Sequence, residues 1–338
     1  MDLKRLLKRG ALIAAGNWQV VVIQFVAQTT FQMLLAVPIV SAAILVAVLL
    51  GADLVNLLEG GLRDIFTTIA NALMSEPAAL AAFVAAFGIV LVGGSVFMFL
   101  VKGGTVTVLV AADAAAGPLE RDPLTAATLQ AASRFTFARF VGGCGHLFRR
   151  YLALGLILMA VYGLSAAGYL AFVVVGYRAA GDGSPILAWT FMAASAAAVL
   201  VAWITLVNLV YLLLQIVIAA EDLPLVEGFR AVARFVRREF RDLGGIFLVV
   251  LAIVIAATFA SALAWSGVGL IGFVPLVGLA VIPLQLASLL LRGLAFEFIG
   301  VTGLGAYAAL YRRHAVHAAS AFEPGPVGSG ARPLGAWR

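Results

Sequence analysis

Charge is what this chain has least of. Only 11% of its 338 residues are Asp, Glu, Lys or Arg, and the mean hydropathy is +1.11. A water-soluble domain carries roughly 25% charged residues, so a soluble fold of this length is excluded. Cysteine is nearly absent: Cys144 is the single thiol, which excludes an intramolecular disulfide and leaves the redox compartment unread. Histidine is scarce too. His314 and His317 stand three apart beside Arg312 and Arg313 without Cys or carboxylate at ligand spacing, so no metal centre is expected. The glycine pairs at 93–94, 103–104, 142–143 and 244–245 lack a following Lys-Ser/Thr, which excludes a phosphate-cradling loop of the Walker type. No nucleophile–base constellation stands out. The expectation is a non-enzymatic chain without a cofactor.

What is present is apolar sequence in long uncharged runs. A bilayer interior cannot solvate backbone amides, so such runs cross it as helices or as a closed barrel. Strands of a barrel would alternate apolar and polar residues, and no such alternation occurs. The expected fold is therefore all-α and polytopic, with six spans at about 18–50, 79–111, 151–176, 187–219, 245–266 and 275–307. Pro38 and Pro283 are expected kink sites, because each removes a backbone donor. The basic start Met1–Arg9 imitates a signal peptide. However, Asn17, Gln19, Gln24 and Gln28 interrupt the apolar region behind it. Residues 1–16 are read instead as a surface helix.

Basic residues set the orientation. With the N-terminus inside, 18 of the 22 Lys and Arg fall in segments 1–16, 112–150, 220–244 and 308–338. The external segments keep only Arg63 and Arg178. Both termini are thus expected in the cytoplasm, and an Arg-over-Lys, Ala-rich composition suits a bacterial inner membrane. Segment 52–77 carries Leu54, Leu58, Leu62, Ile65 and Ile69 at helical spacing and reads as an external amphipathic helix. Segment 314–338 is expected to be a disordered cytoplasmic tail behind a single membrane domain, 1–313.

One pattern occurs twice. Val108-Leu109-Val110-Ala111-Ala112-Asp113 and Ile216-Val217-Ile218-Ala219-Ala220-Glu221 each close an apolar run. Behind each follow an Asp and a Pro, then Arg-Phe in register at Arg134-Phe135 and Arg234-Phe235. The reading is a tandem repeat of span, basic amphipathic elbow and span, at about 79–176 and 187–266. In the second elbow Arg230, Arg234, Arg237, Arg238 and Arg241 interleave with Phe229, Val232, Phe235, Val236, Phe240 and Leu243. A greasy face with a cationic back suits anionic lipid, about 1 kcal/mol per basic residue near the headgroups. A cytoplasmic protein partner such as an ATPase, or a second copy of the chain, is the competing occupant. Nucleic acid is not expected, since no aromatic-interleaved basic loop is present.

Ionisable groups at membrane depth are costly and are candidates for function. Gln285, Ser288 and Arg292 share one face of the last span, and Glu297 lies about 140° around it, too far for a good intrahelical pair. Each of the two charges should therefore find a partner on another helix. Lys102 lies eleven residues inside Asp113, at the position matched by Val210. Gln24, Gln28 and Gln32 form a stripe on the first span, as do Asn208 and Gln215 on the fourth. The expectation is that these stripes and Arg292 meet in a polar interior, with plain interhelical hydrogen bonds as the bland alternative.

With the sequence Gly303-Leu304-Gly305-Ala306-Tyr307-Ala308-Ala309-Leu310-Tyr311-Arg312-Arg313 at the end, this arrangement resembles a loose group of bacterial six-span membrane domains. Some of these are attached to glycerophosphodiester phosphodiesterases. The likeness covers most of 1–313 and includes no hydrolase domain. It implies a membrane module in envelope or lipid homeostasis or scaffolding, with no catalytic residues to carry over. A transporter or permease subunit for a small or anionic solute is the rival expectation. Against it, Glu221-Asp222-Leu223-Pro224 places Gly228 at the wrong distance for an ATPase-coupling loop.

Overall fold

A computed structural model describes residues 3–50, 77–117, 119, 125–180, 185–272 and 277–320. Side chains within these ranges are described except at 42, 43, 45–50, 79, 180, 185, 186, 265, 267–272, 277–282 and 317–320. The expected external helix over 52–77 and the tail beyond 320 lie outside the described residues.

The fold is all-α. In chain order the helices are α1 (Leu3–Gly16), α2 (Trp18–Leu50), α3 (Pro77–Ala115), α4 (Ala126–Ala132), α5 (Phe137–Ala180), α6 (Pro185–Glu221), α7 (Leu225–Gly272) and α8 (Val277–Ser320). Six of them, all but α1 and α4, are long and apolar enough to cross a membrane. Pro38 and Pro283 both lie inside continuous helix.

Helix contacts define two rings. α3, α6 and α8 touch one another and form the centre; α2 packs between α3 and α8, α5 between α3 and α6, and α7 between α6 and α8. The chain therefore visits the outside and then the centre three times, in α2–α3, α5–α6 and α7–α8. Adjacent spans joined this way pack as antiparallel neighbours.

The buried core sits at one end of this bundle, the end rich in basic residues. It takes the last turns of the inner helices, from Val106 to Ala112, Leu213 to Ile218 and Val301 to Tyr311. It takes the N-terminal halves of the outer helices as well, through Val21, Leu147, Tyr151, Phe235 and Ile246. Toward the other end large apolar side chains such as Leu164, Leu187 and Phe191 are exposed. Facing hydrocarbon rather than water, they carry no penalty.

Two close crossings tie this end together. A Cβ on Gly10 of α1 would stand 2.4 Å from Thr302 O on α8, and one on Gly104 of α3 would stand 2.7 Å from Phe140 O on α5. Only glycine permits such backbone approach.

Three sequence expectations need correction here. Residues 3–16 do not merely lie on a surface: Leu6, Leu12 and Ile13 are buried, and α1 packs chiefly on α8. The elbows are not separate surface helices either. The second is the N-terminal part of α7, continuous with its span except for non-helical angles at Glu239 (φ −110°, ψ 24°). Its greasy face, Val232, Phe235 and Leu243, is buried against protein, leaving Phe229 and Phe240 exposed. The first elbow is interrupted at Ser133–Thr136 between α4 and α5. Finally, residues 314–320 belong to α8, because His314 packs on Phe235 with ring centroids 5.3 Å apart.

Candidate functional site at the basic end

The inner helices end together, and their last residues build the site. α3 carries Ala111-Ala112-Asp113 in its last turn and α6 ends on Ala219-Ala220-Glu221, the two matching segments. Small alanines let the ends approach α8 at Ala308, Tyr311 and Ala315, around a cavity of about 170 Å³. Each acid then meets α8. Tyr311 donates its hydroxyl proton to Glu221, and Arg312 donates to the Asp113 backbone carbonyl and lies 3.4 Å from its carboxylate.

Asp113 has a second and deeper partner. Arg9 Nε donates to Asp113 Oδ1 at 2.5 Å, and both side chains are almost wholly buried. The same guanidinium donates to the carbonyls of Asp113, Ala116 and Gly117 at 2.9, 3.0 and 2.8 Å. The Asp113 carbonyl is one of the orphan acceptors of the α3 C-terminus and the other two lie just past it, where a cation also opposes the negative end of the dipole. One arginine thus caps α3 and neutralises its terminal acid.

Asn17 fastens the α1–α2 junction in a similar way. Its Nδ2 donates to Ile13 O and Ala132 O, and its Oδ1 accepts from Arg134 N. The first elbow is thereby bonded to the N-terminal helix.

Around these ends lies a belt of ion pairs. Arg313 donates to Glu239 Oε2 at 2.8 Å and also to Asp242, which anchors the kink of α7 to α8. Asp222, at φ 52° in the left-handed region, accepts from His146 at 2.9 Å and from Arg150. Hydrogen bonds from Arg150 and His146 hold the Asp222 carboxyl below the ordinary carboxylate range. The α6–α7 turn is thus tied to α5.

A second cavity, of about 310 Å³, opens between α6, α7 and α8. Its walls are Glu221, Ala231, Arg234, Arg238, Tyr311, His314 and Ala315. Arg230, Arg237 and Arg241, the other members of the expected cationic face, are exposed elsewhere on α7.

The intramembrane candidates divide. Lys102 on α3 and Glu297 on α8 lie close enough for their charges to attract, but no ion pair within 4 Å joins them. Gln24 is buried against Thr105, whose Oγ1 lies 2.9 Å from Gln24 Oε1 and 3.0 Å from Val101 O. One hydroxyl proton serves one acceptor, so a Gln24 amide turned to present its NH2 satisfies all three groups. Gln28 is half-buried and Gln32 exposed. Asn208 accepts from Tyr162 and donates to Ile204 O at 3.0 Å on the exposed side of α6. Gln215 is buried, with the Tyr211 side chain one turn back on α6 beside it.

Arg292 does not join them. It is exposed on the outer side of α8, with its guanidinium 5.7 Å from the Phe296 ring centre on its own helix. Gln285 and Ser288, on the same face, are half-buried. The reason is rotational: Glu297 points at the centre, and 140° of helix turns Arg292 away from it. The expected common polar interior is therefore reduced to the Lys102–Glu297 and Gln24–Thr105 pairs.

Sequence reasoning missed Arg9, Asp113, Glu221, Tyr311, Arg312 and Arg313 as site residues. A signal for two of the groups was available, since both matching segments end in an acid at the same place. Nothing in the sequence pointed to which cations would meet them. Among the described residues no group of three or more His, Cys, Asp and Glu is placed to hold a metal. No family model matches this chain, and no curated protein or solved structure is significantly similar to it.

Proposed function

We propose that this is a non-enzymatic, multi-pass protein of a bacterial inner membrane that holds anionic lipid at its cytoplasmic end, in envelope or lipid homeostasis. The observation that carries the reading is the division of labour on α7. Val232, Phe235 and Leu243 are spent on the protein core, while Arg230, Arg234, Arg237, Arg238 and Arg241 are all exposed. The charges are thus fixed by a buried helix and left facing outward. Basic residues near anionic headgroups contribute about 1 kcal/mol each and are screened by salt. The excess of Lys and Arg in the segments on this side supports a cytoplasmic position for it and for both termini. The matching segments are read as a tandem repeat that supplies two of the three inner helices.

Native mass spectrometry of the protein purified with its lipids tests this. Phosphatidylglycerol or cardiolipin should be retained over phosphatidylethanolamine, and Gln at all five arginines should abolish the preference. An unchanged lipid profile in that variant would remove the basis for the proposal.

A transporter reading has one observation in its favour, the facing charges of Lys102 and Glu297 between two inner helices. A solute path at this point, with or without a cytoplasmic ATPase, predicts that Lys102→Met abolishes uptake into proteoliposomes. It also predicts that retained lipid is unaffected.

A further inference from the structure

We infer that the cavity between α6, α7 and α8 is a phosphate site, which takes the phosphate monoester or diester of a headgroup between Arg234 and Arg238. The inference rests on the lipid reading above, since it uses two of the same arginines, but it replaces a diffuse surface with a defined pocket.

The first ground is geometric. Arg234 and Arg238 are four residues apart, hence on one face of α7, and both line the 310 Å³ cavity. Two guanidiniums presented side by side offer planar forks of donors, the arrangement that matches phosphate oxygens. The second ground is the fate of the acids nearby. Glu239 and Asp242 are held by Arg313, and Glu221 accepts from Tyr311. Among the described residues neither Arg234 nor Arg238 has a carboxylate within ion-pair distance. The carboxylates that could have neutralised the pocket are bonded elsewhere, so two arginines face one acid, Glu221, and the cavity is cationic.

The third ground is rigidity. The wall opposite the arginines is formed by Tyr311 and His314, which pack on the buried Phe235 ring at 5.0 and 5.3 Å. His314 Nδ1 is turned toward Glu239 at 3.6 Å, which fixes the ring. Arg230, Arg237 and Arg241 do not line this cavity; they share the strip of α7 beside it. They form the outer, non-specific part of the same basic surface.

Two sources could supply the phosphate, a lipid headgroup or a free phosphate ion, and the test separates them. The full chain is held in a phosphate-free maltoside detergent and titrated there with inorganic phosphate, with phosphatidic acid or with phosphatidylglycerol, and thermal unfolding is followed in every case. A saturable rise in unfolding temperature is expected with phosphatidic acid or with inorganic phosphate. Arg234→Gln/Arg238→Gln should abolish it, while Arg230→Gln/Arg237→Gln/Arg241→Gln keeps it. Saturation by inorganic phosphate alone identifies a soluble phosphate as the occupant. Should the double variant melt before titration, Arg234→Lys/Arg238→Lys preserves the charge and should weaken the midpoint at least tenfold by losing the forks. Losses that merely scale with the number of arginines removed, wherever they lie, would overturn the pocket and leave the anionic-surface reading standing. A wild-type protein indifferent to anionic lipid yet saturable by inorganic phosphate would do the reverse.

Discussion

Arg9 and Asp113 are almost wholly buried and satisfy each other together with the C-terminal carbonyls of α3. Taking one charge away strands the other, and breaking a buried pair costs about 3–5 kcal/mol. Asp113→Ala should therefore lower the unfolding temperature in detergent sharply, and Arg9→Met/Asp113→Leu should recover part of the loss. Arg292→Leu should do nothing of the kind, because that guanidinium faces outward with only a ring on its own helix beside it. Unchanged or raised stability is expected. Asp222 supplies a pH dependence. Its folded-state carboxyl is held below the ordinary value by Arg150 and His146. A depressed folded value means stability present above the unfolded carboxylate range, near ~3.9, and lost as pH falls through the folded value. The difference in unfolding temperature between wild type and Asp222→Asn should be present at about pH 5 and vanish under more acidic conditions. A gap that persists to the lowest pH measured would contradict the assignment.

At the scale of elements, the helices were largely legible. Uncharged runs longer than a bilayer is thick can only be helices, and the six long helices contain the expected runs wherever these are described. Their ends were not legible. The elbow over 225–243 has the period of a surface helix, and its apolar face is instead buried in protein. Periodicity tells which residues share a face, not whether lipid or a neighbouring helix covers it. The same ambiguity hid α1, whose packing on α8 depends on Gly10. Gly10→Ala would place a methyl 2.4 Å from Thr302 O and 2.7 Å from Ala306 N. Neither backbone atom can give way cheaply, so a loss of about 1–3 kcal/mol is expected. Gly88→Ala is the control: a Cβ there meets nothing within 4 Å. It should be neutral or slightly stabilising, since alanine favours helix by up to about 1 kcal/mol. Equal destabilisation by the two substitutions, read by thermal melting, would argue against the close crossing.

Across the whole molecule, packing is concentrated at the basic end and the apolar spans spread their side chains outward from it. The orientation proposed from the charge count can be tested directly. In a Cys144→Ala background, Arg178→Cys should react with a membrane-impermeant maleimide in intact cells, and Arg238→Cys should react only after lysis. The reverse pattern would invert the protein in the membrane. Hydropathy, the scarcity of charge and the spacing of basic residues determined by themselves that this chain is a multi-pass helical protein with one strongly cationic side. Those are properties of a solvent and a composition, and they need no partner. The tertiary structure decided which helices are central and that Asp113 and Glu221 close on the same stretch of α8. It also turned Arg292 away while Lys102 faced Glu297. Each depends on the rotation and neighbours of a helix, and one-dimensional spacing leaves both free. The matching Ala-Ala-Asp and Ala-Ala-Glu ends could be read from the chain, but the Arg9, Tyr311 and Arg312 that meet them come from 90 to 199 residues away.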